Sequence, residues 1–146
     1  MSRHILLVLS MFFILTSSWV HGNNFKSSKP CLLQELKQNA QAYYNAVNEE
    51  DKKTMYSFES EEYQKKEPMA DYEPQLLEMK KRGRFNKLSV KSVELKDGDV
   101  ATVIVEFLIF NKMVKVWYTD GSFLQSWKCP GGKWFVNTPP TVILLR

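Results

Sequence analysis

From Pro30 onward, apolar residues recur at three- and four-residue steps: Leu32, Leu33, Leu36, Ala40, Tyr43, Tyr44 and Val47. That spacing collects them on one face of a helix, and Pro30 suits its first turn, where a missing amide proton leaves nothing unpaired. A second helix is expected after the acidic stretch Glu49-Glu50-Asp51, carrying Met55, Tyr56, Phe58 and Tyr63 and stopped by Pro68, because proline disfavours helical geometry in the residue before it. A third, Tyr72 to Lys81, presents Leu76, Leu77 and Met79 and ends at Gly83.

Past Gly83 the period falls to two. Leu88, Val90, Val93 and Leu95 alternate with polar residues, with a phase slip at Lys91-Ser92 that marks a bulge. Asp97-Gly98-Asp99 is a hairpin turn. Val100 to Phe110 is apolar on nearly both faces, as expected of a strand covered on each side. Asn111-Lys112 turns the chain, Met113 to Tyr118 returns, Asp120-Gly121 turns it again, Phe123 to Lys128 forms a strand, Pro130-Gly131-Gly132 turns, and Lys133 to Asn137 closes. Helices first and a meander of about five strands afterwards predict an α+β domain with helices on one face of an antiparallel sheet.

The segment before this pattern is of another kind. Arg3 and His4 precede the apolar run Ile5 to Val20, which ends at His21-Gly22. This is the basic, apolar and small-residue layout of a signal peptide, and the run, interrupted by Ser10, Thr16, Ser17 and Ser18, is shorter than the ~20 apolar residues of a membrane span. The expected organisation is a signal peptide over residues 1–22, a flexible leader over 23–29, one domain over 30–138 and an apolar tail over 139–146. An exported protein, periplasmic or secreted, with no stable membrane span after cleavage follows from that division.

Charge adds little. The formal net charge of +4 is mild, and the one dense basic cluster, Lys80, Lys81, Arg82 and Arg84, reads as a solvated helix end favoured by the helix dipole, so nucleic acid is not an expected partner. Cys31 and Cys129 are the only cysteines. In an oxidising compartment the pair is expected to bridge, two buried thiols being the alternative. With both histidines in the leader, no metal site is expected, nor any cofactor.

The run Ala42-Tyr43-Tyr44-Asn45-Ala46-Val47-Asn48-Glu49-Glu50-Asp51, the following segment with Tyr56 and Phe58, and the closing Lys133-Trp134-Phe135-Val136-Asn137 after a Gly-Gly turn resemble nuclear transport factor 2-like domains, the superfamily of ketosteroid isomerases and polyketide cyclases. The resemblance implies a cone, a cystatin-like roll in which a strongly curved sheet wraps the first helices around an apolar pocket. Tyr43, Phe58, Phe107, Trp117 and Trp127 are its expected lining. Pairing through the outer face of the sheet is implied as well, giving a homodimer.

The leading expectation is a non-catalytic exported domain that binds a small apolar ligand or a protein partner. The alternative is a proton-transfer isomerase or cyclase, in which Tyr43 would donate to a developing oxyanion and either Glu67, beside Pro68, or Glu106, inside an apolar strand, would move the proton. No aspartate stands in Phe123 to Lys128, where those isomerases place a second donor. A cystatin-like inhibitor would need a Gln-Val-Gly hairpin loop, and the chain has none.

Overall fold

The computed structural model describes residues 30–137 and the backbone of 143–145. The expected signal peptide and leader, and most of the expected apolar tail, fall outside the described residues. Four helices precede the sheet: α1 (Leu33–Glu49), α2 (Lys52–Ser57), α3 (Glu61–Lys66) and α4 (Gln75–Lys81). The strands are β1 (Lys87–Asp97), β2 (Val100–Asn111), β3 (Val116–Lys128), β4 (Phe135–Val136) and β5 (Ile143–Leu145).

The sheet is antiparallel, with a four-strand path β1-β2-β3-β4, and the short β5 pairs with β3 at residues 122–124. It is flat and open, not a curved or closed cone. The expected cone-shaped roll, and with it the nuclear transport factor 2-like assignment, is therefore incorrect. β4 is two residues long, and among the described residues no strand pairs back to β1 to close the sheet. Met113–Tyr118 and Phe123–Lys128, expected as two strands, belong to the single strand β3. Asp120-Gly121 does not reverse the chain; Gly121 pairs with Phe107 and Thr119 with Leu108, so Asp120 is the extra residue of a bulge inside one 13-residue strand. Turns and bulges draw on the same residue types.

α1 starts at Leu33, so Pro30 precedes it instead of opening its first turn, and Leu32 and Leu33, expected on its apolar face, are exposed; several other local expectations hold. Lys91 is skipped in the β1–β2 register, and Asp97 pairs with Val100 across a tight turn. α1 buries Leu36, Ala40, Tyr43, Tyr44, Ala46 and Val47 against one face of the sheet, where they meet Ala101, Val103, Val105, Phe123 and Trp127. Asn48 fixes the helix to the sheet: its Oδ1 accepts from Leu88 N at 2.7 Å and its Nδ2 donates to Leu88 O at 3.0 Å. Contrary to the expectation that β2 is covered on both sides, its far-face residues Thr102, Ile104, Glu106 and Leu108 are only half-buried among the described residues. That face carries the polar cross-strand rows Ser89–Glu106–Ser122 and Glu94–Thr102–Ser126, with the row Ser92–Ile104–Leu124 between them. With the cone gone, the implied homodimer through this mixed face loses the resemblance that suggested it.

The predicted second helix is broken in two. Phe58 O accepts from Val136 N at 2.9 Å, Glu59 bridges to Val136 in parallel, and Ser60 starts α3 afresh by accepting from Tyr63 N at 3.1 Å. The chain at 58–60 thus serves as a sheet edge. The third helix begins later than expected, at Gln75, because Pro74 holds the backbone extended at its N-cap. Tyr72, expected in that helix, lies on extended backbone before it.

Cys31, just before α1, is disulfide-bonded to Cys129, just after β3, across 98 residues of sequence. Trp134 reinforces that junction by donating from Nε1 to Leu32 O at 3.1 Å. Closing so long a loop limits the unfolded chain by an amount equivalent to about 2–4 kcal/mol. Replacing both cysteines by serine is expected to lower the unfolding free energy by about that much, read by urea denaturation, with the folded spectrum retained.

Candidate functional site

The candidate site centres on a carboxyl group without solvent. Glu59 is 2% exposed, and its Oε1 accepts a hydrogen bond of 2.8 Å from the hydroxyl of Tyr72, itself 1% exposed. A carboxylate can be kept in such a place only by hydrogen bonds, and the local folding supplies them. The break between α2 and α3 turns Glu59 inward, while the extended segment before Pro74 aims Tyr72 at it. Gln64 closes the break from the solvent side, donating from Nε2 to Tyr56 O at 2.8 Å and Glu59 O at 3.2 Å.

Tyr43 of α1 completes the group. Its hydroxyl interacts with that of Tyr72, and its ring stands edge-on to Tyr44, Phe58 and Trp127 at centroid distances of 5.1, 6.0 and 5.8 Å. Desolvation first, then the nearby charge of Glu59, push the Tyr43 hydroxyl well above the ordinary 10.0. Tyr72 is raised too, by desolvation and then by its neighbours Tyr43 and Glu59, and burial raises Tyr44. All three therefore stay protonated at neutral pH and serve as donors, not bases. The Tyr44 hydroxyl and Trp127 Nε1 lie near one another without meeting hydrogen-bond geometry, and neither atom has a partner among the described residues.

Of the carboxylates expected from sequence, neither reaches Tyr43. Glu67 ends α3, and its carbonyl accepts from the Tyr56 hydroxyl at 2.8 Å. Glu106 points to the far face of the sheet, where Lys91 pairs with it at 3.2 Å; its flanking residues Val105 and Phe107 take the core side. The expected lining set is dispersed as well. Tyr43, Phe58 and Trp127 fill the core with their edge-to-face contacts, Phe107 stacks between Phe85 and Phe123, and Trp117 stands exposed at the far end of β3. No cone-shaped pocket exists among the described residues, so the expected non-catalytic binding through a cone is overturned. The acid–base alternative is better supported, with Glu59 in place of Glu67 and Glu106.

An open groove of about 850 Å³ lies beside the pair, lined by Ser60, Tyr63, Lys65, Lys128, Lys133 and Asn137 among others. Tyr63 belongs to both places: it walls the groove, and its ring meets that of Tyr72 edge-on at 6.2 Å. Its hydroxyl is raised by desolvation and by the charges of Glu59 and Glu67. The lining carries Lys65, Lys66, Lys128 and Lys133 against Glu61 and Glu62, with Lys66 paired to Glu62 at 2.6 Å, so basic side chains outnumber acidic ones there. No cluster of three or more metal-ligating side chains occurs among the described residues, and none of their helices is long and apolar enough to cross a membrane.

Because the tyrosines are raised in the folded state, their contribution to stability is fully present below pH 10, the ordinary tyrosine value, and is lost as the pH rises beyond it. Alkaline titration of tyrosinate absorbance is expected to show Tyr43, Tyr44 and Tyr72 ionising only together with loss of near-ultraviolet circular dichroism. Ionisation of all six tyrosines near pH 10 with the fold intact would contradict the dry site.

Comparison with family models, with curated proteins and with solved structures found no match to this chain.

Proposed function

We propose that the chain is a proton-transfer enzyme acting on a small anionic carbon acid, with Glu59 as the proton acceptor. The observation that carries this reading is the 2.8 Å Tyr72–Glu59 hydrogen bond between two groups almost wholly excluded from water. A carboxyl group removed from water and hydrogen-bonded by a tyrosine is an environment that can tune a general base for proton abstraction next to a carbonyl. Tyr72 fixes the carboxyl orientation, Tyr43 backs Tyr72, and Tyr63, which walls the groove and meets the Tyr72 ring, is the donor placed between the groove and the buried pair. Glu59 takes the proton from carbon as the enolate forms and returns it to the same or a neighbouring carbon, so the cycle is an isomerisation or exchange with no net redox change. The excess of lysines over Glu61 and Glu62 in the groove supports substrates that carry a carboxylate.

The reading includes export. The apolar leader pattern supports an extracytosolic site, and so does the Cys31–Cys129 bridge, since such bonds persist where thiols are oxidised.

Pyruvate and acetoacetate in deuterium oxide, followed by proton NMR, test the proposal. The wild-type chain is expected to speed carbon–deuterium exchange above the buffer rate. Glu59→Gln is expected to lower that acceleration by about a hundredfold or more, and Tyr72→Phe, a positioning change, by about tenfold, both with the folded spectrum retained. No acceleration by the wild type, or full acceleration in Glu59→Gln, would overturn the proposal; a loss of stability with exchange unchanged would make the pair a purely structural lock.

A further inference from the structure

β1 begins at Lys87, opposite Leu108, and β4 and β5 pair with β3 only from Ser122 onward. Between these limits β2 and β3 run on as a two-stranded ribbon paired Ile109–Tyr118, Phe110–Trp117 and Asn111–Val116. A free ribbon of this kind has little stability of its own in water, yet its side chains are apolar on both faces. Phe110 and Trp117 share one face with rings 5.1 Å apart; Ile109, Tyr118 and Val116 occupy the other. At the tip Met113 is 93% and Val114 63% exposed, and Trp117 is 51% exposed. Lys112 and Lys115 are the only charged residues from Phe107 to Thr119, and exposed Arg84 and Lys87 stand at the base.

We infer that this ribbon docks the protein on the surface of an anionic lipid bilayer, the tip entering the headgroup layer. Two features select that occupant. A sheet-on-sheet contact with a second copy would cover one face of the ribbon and leave the other in water, whereas the bilayer interface surrounds an inserted tip and removes both faces from water. The charge is complementary: an acid-free tip with two lysines, above a base where Arg84 and Lys87 outnumber exposed Asp120, matches anionic headgroups. Trp117 and Tyr118 are the residue types that settle at headgroup depth, while Met113 and Val114 go deeper and the lysine stems let their ammonium groups stay in the polar layer. The attachment is peripheral, since each arm is far shorter than the ~9–11 residues of a spanning strand. It is independent of the proton-transfer reading.

Full-length protein is to be mixed with phosphatidylcholine–phosphatidylglycerol vesicles whose acyl chains carry bromine, and with pure phosphatidylcholine vesicles. The emission of Trp117, isolated as the difference between wild type and Trp117→Phe, is read. Attachment through any other segment leaves that difference unquenched. The expected result is quenching of Trp117 on the anionic vesicles, weakened by salt, and abolished by Met113→Glu with Val114→Glu. Lys112→Glu with Lys115→Glu is expected to weaken partitioning by at least about tenfold. All four substitutions fall at exposed turn positions, and circular dichroism checks that the fold survives. Unquenched Trp117 on vesicle-bound protein would overturn the inference, as would a dimer that buries Trp117 without lipid, detected by sedimentation.

Discussion

A carboxyl group at 2% exposure dictates much of the architecture around it. Left unpaired in such a place, Glu59 would cost the fold several kcal/mol, about what a small domain can least tolerate. The hydroxyl of Tyr72 answers that demand, and three otherwise separate features become one arrangement. The helical stretch after Asp51 breaks at 58–60 so that Glu59 turns inward and its backbone bridges to Val136. The segment from Pro68 to Pro74 stays largely non-helical so that Tyr72 reaches back. α1 sets Tyr43 behind the pair while its remaining apolar face covers the sheet. The disulfide at the other end holds the start of α1 against the end of β3, fixing the frame in which these groups meet.

Much of this frame is legible in the sequence because it is local. The phase of α1, the bulge at Lys91, the Asp97–Val100 hairpin and the stop at Gly83 each follow from a few neighbouring residues, and the structure contains all of them. What depends on distant contacts is not legible. Asp120-Gly121 has the chemistry of a turn, and only pairing with Phe107 and Leu108 makes it a bulge. The curvature of a sheet is a property of the whole strand set, so a resemblance carried by one helix and one closing strand could not specify it.

The site illustrates the same limit. Tyr43 was identifiable from its place on the apolar face of α1. Glu59 was not, because it stands among Glu61, Glu62, Lys65 and Lys66, a run that reads as a solvated helix. Its burial is decided by Val136 and Tyr72, far away in sequence. The one local hint was its position four residues after buried Met55 and directly before the N-cap Ser60. Glu106 misled for the opposite reason: the apolar neighbours Val105 and Phe107 face the core, and strand alternation sends the residue between them to the other side.

The chain thus divides its chemistry between two ends: a dry acid–base group beneath α3, and an apolar ribbon projecting beyond the body of the sheet. The first of these is the central claim, and the hydroxyl proton of Tyr72 reports on it most directly. Solution NMR is expected to show that proton as a slowly exchanging resonance, displaced downfield by its bond to Glu59, with a nuclear Overhauser contact to the Tyr43 ring and an upfield move in Glu59→Gln. A Tyr72 hydroxyl that exchanges with water too fast to be seen, together with a Glu59 carboxyl carbon that titrates like an exposed glutamate, would contradict the account.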